Sequence, residues 1–127
     1  MIKILICDIR HAPNDSIYVG RAMFDGRVGS PLQNPHRVKR KSDRGKAADA
    51  YARDFPALIA SNRAAQKEMD RLVSVAVETG RLTLGCWCAP RRCHAEVIAC
   101  EVARRLNTMG HETIIDVAGR NLELPLM

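Results

Sequence analysis

The segment Leu84 to Ala99, LGCWCAPRRCHAEVIA, gathers three of the chain's five cysteines, its single tryptophan, Arg91, Arg92 and His94. Thiolates and an imidazole can hold zinc, a thiol can act as a nucleophile, and arginines beside a helix start can bind an anion. Zinc would use Cys86, Cys88, Cys93 and His94, since three thiolates with one imidazole form a known structural set. Against it, the segment lacks paired Cys-x-x-Cys knuckles, and adjacent ligands at Cys93 and His94 would strain a tetrahedron. The run His94-Ala95-Glu96 matches the His-x-Glu of zinc deaminases, but that chemistry also needs a downstream Pro-Cys-x-x-Cys, and only Cys100 follows. A phosphatase-type loop from Cys86 to Arg92 would have to wrap its amides around a phosphate, which favours glycine and small residues. Trp87 and Pro90 stand there instead.

An activated thiol is the remaining chemistry. A cysteine opening a helix beside Arg91, Arg92 and His94 should have a depressed pKa. Cys93 is therefore the expected nucleophile and His94 the expected acid–base partner. Cys93 is expected at the mouth of the loop, more reactive than Cys7 and Cys100, which are expected in the core. The plainer alternative is that Cys86, Cys88 and Cys100 are small core hydrophobes, and that His94 makes a hydrogen bond at a helix end.

These side chains need a scaffold. Ile2 to Ile9 is a β-branched apolar run that predicts a buried strand, and SIYVG predicts a second strand ending at Gly20. Arg21 to Lys46 shows no periodicity, carries Gly26, Gly29, Pro31 and Pro35, and ends in the basic run HRVKRKSDRGK. So long a loop tends to be functional. Helical spacing begins near Lys46, with Pro56 as the expected kink or break, and a second helix runs from an N-cap at Ser61 or Asn62 to a stop at Gly80. RLTLGCWC predicts a strand, Cys93 to Met109 a helix closed by Gly110, and HETIIDVA a last strand. The alternation predicts a single three-layer α/β domain over residues 1–127, with a small, largely parallel sheet and flanking helices. Alternation along RLTLGCWC would turn Cys86 and Cys88 to one face and Trp87 to the other. The loop after that strand would sit at a carboxyl edge, where open α/β sheets bind ligands, with the backbone amides of Arg92 to His94 facing an anion.

Composition sets outer bounds. The chain has 127 residues, 46% hydrophobic and 27% charged, which fits one soluble domain with a real core. The net charge of +6 favours anionic partners, nucleic acid among them, while aromatics at 4% argue against a surface of stacked rings. The N-terminal apolar run is too short to span a bilayer and has no cleavage signature, so a cytoplasmic protein without membrane partners is expected. Five cysteines then read as thiols or ligands, not as a disulfide framework.

Taken together, IYVGR, QNPHRV, DRGKAADAY and LGCWCAPRRCHAEVIA resemble domain of unknown function 4326, a small family of phages and bacteria. The resemblance spans about Ser16 to Leu106. It carries over Gly20, Arg21, Asn34, Pro35, Arg44, Tyr51, Gly85, Cys86, Trp87, Cys88, Pro90, Cys93 and His94 as family-type positions. Gln33, His36 and the pair Ala95-Glu96 depart from the family pattern of Gly, an aromatic residue and Gly-Asp. A second, more distant likeness is to an uncharacterised α/β family with a C-x-E and C-H-R segment after a strand. Neither likeness implies a reaction. The resemblance groups Arg21, Asn34 and Arg44 with Cys93 and His94, and with Arg91 and Arg92 beside the helix start this arrangement suits a nucleotide phosphate. The leading expectation is a binder, or processing enzyme, of a small phosphorylated ligand such as a nucleotide or nucleoside derivative. The alternatives are a nucleic-acid-binding accessory protein using the basic loop Arg37 to Lys46, and a zinc-stabilised interaction module. No cofactor is expected outside that last case.

Overall fold

The computed structural model describes residues 1–23, 26–36, 44–87, 93–117 and 120–122. Strand β1 (Ile2–Asp8) leads through a 3-10 turn (Ile9–His11) to the short β2 (Ile17–Tyr18). After the irregular segment come α1 (Arg44–Ser61), α2 (Arg63–Thr79), β3 (Arg81–Cys86), α3 (His94–Thr108), β4 (Thr113–Val117) and β5 (Arg120–Leu122). The sheet order is β2-β3-β1-β4-β5. The first four strands run parallel and β5 returns antiparallel to β4. This is the expected α/β fold with a largely parallel sheet and flanking helices. The antiparallel edge strand was not foreseen, because three residues carry too little pattern to announce a strand.

Register builds the core. Ile4 sits opposite Leu82 and Ile115, and Ile6 opposite Leu84 and Val117, so one face of three neighbouring strands is a continuous aliphatic surface. All of these side chains are buried. Met69, Leu72 and Ala76 from α2, and Ile98, Val102 and Leu106 from α3, close over that face. The opposite face of β1 holds exposed Lys3 and half-buried Leu5 and Cys7.

The three layers expected from sequence reduce to two among the described residues. The connections β2–α1–α2–β3 and β3–α3–β4 both advance the same way across the sheet. Right-handed crossovers in one direction place all their helices on one side. Accordingly α1, α2 and α3 pack on one another as well as on the sheet.

Local chemistry sets the helix limits. Pro56 lies inside α1 on its exposed side, where water can serve the carbonyl that proline leaves unbonded, and the helix continues to Ser61. The break comes at Asn62, whose side chain accepts from the Ala65 N–H at 3.0 Å and caps α2. Gln66 donates back to the carbonyls of Ile59 and Ala60, serving the end of α1. Gly80 takes a φ of 74° and ends α2, a conformation that glycine adopts without strain.

Replacing Asn62 with alanine removes the cap at the α1–α2 corner and should lower stability by about 1 kcal/mol. Urea unfolding followed by circular dichroism measures this loss, with the helical signal of the native state retained.

Candidate functional site

Strands β2 and β3 end side by side, with Ile17 opposite Leu84 and Tyr18 opposite Gly85. Beyond their carboxyl ends lies a cavity of about 130 Å³ lined by Tyr18, Gly20, Arg21, Met23, Asn34, His36, Trp87 and His94. Strand ends, the irregular segment and the first residue of α3 thus meet at one place.

His94 closes the inner wall. It is 9% exposed, and its Nε2 lies 2.7 Å from the carbonyl oxygen of Val19. A carbonyl only accepts, so Nε2 carries the hydrogen and Nδ1 keeps the lone pair. The ring stands edge-on to Tyr51, with centroids 5.2 Å apart. Burial pushes the imidazole's pKa down from its ordinary 6.5; the Val19 hydrogen bond opposes this and the charge of Arg21 adds to it. His94 is therefore neutral near pH 7.

A hydrogen-bonded relay shapes the rim. Trp87 Nε1 donates to the Tyr18 hydroxyl at 3.0 Å, and that hydroxyl donates to the Arg21 carbonyl at 2.6 Å. The Tyr18 ring consequently lies where a Cβ on residue 20 would be, so only glycine fits there. Arg10 and Arg27 place their guanidinium carbons 5.7 Å and 5.6 Å from the Trp87 ring centroid, within cation–π range. The Arg21 side chain, half-buried on the wall, forms no hydrogen bond or ion pair among the described residues. Asn34 is engaged at both ends: Nδ2 donates to the Ala47 carbonyl and Oδ1 accepts from the His36 N–H. Its part in the site is to pin the loop to the start of α1. His36 extends across to Asp54, with Nε2 and Oδ2 2.7 Å apart, and this contact holds the Asp54 carboxyl below its usual range.

The cysteines require correction. Cys93 is the N-cap of α3 but is only 3% exposed, and its Sγ lies 3.0 Å from the Sγ of Cys86, itself buried. Packing between a strand end and a helix start turns the thiol into the core, and Cys93 is not on the cavity wall. The thiol expected at the mouth of the loop is thus buried. Conversely, Cys7 and Cys100, expected in the core, are half-buried, and burial raises the pKa of each. The anion expected at the amides of Arg92 to His94 meets a competitor within the chain at Cys93, and Arg92 lies outside the described residues. The Cys93 N–H donates at 3.1 Å to the carboxylate of Glu96, so the helix start supplies its own anion.

Cys88, Pro90, Arg91 and Arg92 lie outside the described residues, as do residues 37–43 of the basic loop. Arg44 opens α1, but its side chain is not described. Of the four proposed zinc ligands, Cys86 and Cys93 meet each other while the His94 ring turns to Val19, and among the described residues no three metal-binding side chains form a group. No helix among the described residues is long and apolar enough to cross a membrane. Tyr18, Met23 and His36 were missed as lining residues. Tyr18 lay in plain view in IYVGR, but its role depends on a tryptophan 69 residues away.

A parallel sheet with a cavity at the carboxyl ends of its strands, walled by an arginine, an imidazole and an indole, defines an α/β domain with its candidate site at the sheet edge. Residues 7–104 match the model of one family, Domain of unknown function (DUF4326), and the chain belongs to that family. No curated protein and no solved structure matches the chain.

Burial should reverse the order of thiol reactivity anticipated from sequence. Iodoacetamide near neutral pH, mapped by mass spectrometry, should label Cys7 and Cys100 before Cys86 and Cys93 in the native protein. Labelling led by Cys93 would contradict its placement.

Stability should also carry the signature of His94. The unfolded chain takes up a proton at the ordinary imidazole value of 6.5, whereas the folded protein does so only at lower pH. As pH falls through that window the unfolded state binds more protons, so stability declines, and it levels off below the folded value. Urea midpoints measured between about pH 8 and pH 5 should show this decline. His94→Gln, which keeps a donor for Val19, should flatten it.

Proposed function

We propose that this protein binds a small phosphorylated ligand of the nucleotide or nucleoside class, with its anionic group in the cavity between Arg21 and His94. The observation that carries the proposal is the lining of that cavity. Gly20, Arg21, Asn34, Trp87 and His94, drawn from three separate stretches of chain, converge on it. An arginine without a carboxylate partner among the described residues suits a phosphate, which accepts two parallel hydrogen bonds from a guanidinium. Gly20 makes room for the Tyr18 ring on that wall, and the Arg27 guanidinium lies against Trp87 at the rim.

The same wall supports acid–base chemistry. A neutral His94 with Nε2 engaged by Val19 has Nδ1 available to accept a proton, and that nitrogen belongs to a ring lining the cavity. Any turnover would use His94 in this way, with Arg21 holding the developing charge. Cys93, packed against Cys86, serves the scaffold.

Titration calorimetry with inorganic phosphate and with nucleoside 5′-monophosphates tests the reading. Arg21→Ala should weaken binding by about tenfold or more, the worth of one charge-assisted hydrogen bond. Affinity unchanged in that variant would place the anion elsewhere. A steep dependence on salt, of the kind given by many phosphate contacts, would favour the nucleic-acid reading instead.

A further inference from the structure

The cavity at Arg21 and His94 is too small for a whole nucleotide-sized molecule, since ligand pockets usually span about 300–1,000 Å³. Beside it lies a second cavity of about 330 Å³, formed by Pro35, His36, Tyr51, Asp54, Phe55 and Leu58 with Gln33. Two side chains join the two spaces. His36 lines both, and Tyr51 lines the second while its ring touches His94 of the first.

We propose that this second cavity receives the planar heteroaromatic ring of the same ligand, a ring that offers an N–H donor to Asp54. The assignment rests on the anion site argued above. Tyr51 and Phe55, both largely buried, line its floor with ring centroids 5.5 Å apart, and Leu58 and Pro35 provide apolar surface. The Tyr51 hydroxyl donates to the Leu32 carbonyl at 2.7 Å, so the ring is held in place before any ligand arrives. The polar edge is equally specific. His36 stands in van der Waals reach of both spaces; with His36 Nε2 on Oδ2 and Arg53 Nε on Oδ1 at 3.3 Å, Asp54 is an ionised carboxylate that only accepts. A ring with an amino or imino hydrogen adds one more donor to that carboxylate, whose oxygens each have a further lone pair; a bare sugar phosphate leaves the cavity unfilled. The His36 imidazole offers a flat surface as well as the link to Asp54.

The test compares ribose 5-phosphate, adenosine and the four common nucleoside 5′-monophosphates by calorimetry, on the wild-type chain and on Leu58→Trp and Asp54→Asn. At least one monophosphate should bind about tenfold more tightly than ribose 5-phosphate, the usual gain from stacking a base. Leu58→Trp, which fills the cavity, should abolish that gain and leave ribose 5-phosphate unaffected. Asp54 is exposed, so Asp54→Asn keeps the fold and should reduce the gain even if the tryptophan variant does not fold. If ribose 5-phosphate binds as tightly as every monophosphate, the ring site is wrong and the anion site stands. Adenosine bound without any contribution from phosphate, and lost in Leu58→Trp, would leave the ring site standing and overturn the anion site. Binding of none of these probes would overturn both.

Discussion

One hydrogen bond ties the site together. His94 Nε2 donates to the Val19 carbonyl across 75 positions of sequence, at 2.7 Å and out of solvent. Its donor opens α3 and its acceptor ends the edge of the sheet, so this single contact fixes where the helix starts relative to the strand it faces. An imidazole can be held there only if it stays neutral, because a charge removed from water without a partner is costly. The same burial that lowers its pKa thus also dictates its tautomer, and the tautomer decides which nitrogen belongs to the cavity.

Around that contact, irregular backbone is made definite by side chains. Residues 26–36 have no helix or strand, yet Leu32 is fully buried, and its carbonyl accepts from Tyr51 on α1. Ser30 N–H donates to the Gly20 carbonyl, Val19 N–H to the Gly85 carbonyl, and Asn34 to Ala47. Each bond satisfies a group that burial would otherwise leave costly. Trp87, Tyr18 and Arg21 continue the pattern at the rim, with every polar atom of the relay assigned a partner. A long loop can therefore form a shaped wall without regular structure of its own.

The cysteines show how position along the chain misleads when packing is unknown. A thiol at a helix N-terminus beside arginines has the signature of a reactive group. Here β3 and α3 converge so closely that Cys86 and Cys93 occupy the corner between them as small apolar side chains. Glu96, one turn into the helix, then takes the amide that an external anion would need.

The sequence by itself determined the elements and their class. Period-two and period-3.6 patterns are local properties, so strands in Ile2 to Ile9 and in RLTLGCWC, a cap at Ser61 or Asn62 and the stop at Gly80 were legible, as was a largely parallel sheet. The family was legible too, because Gly20, Arg21, Asn34, Trp87 and His94 stand in recognisable local contexts. Tertiary structure alone decided the rest. Which side the helices take follows from the direction of two successive crossovers, which no window of residues contains. Whether Cys93 is exposed depends on how near α3 comes to β3. The roles of Tyr18, His36 and Asp54 arise from contacts spanning 18 to 69 positions. Burial and hydrogen-bond partnership are properties of pairs brought together by the fold, and a sequence read one segment at a time has no access to the distance between them.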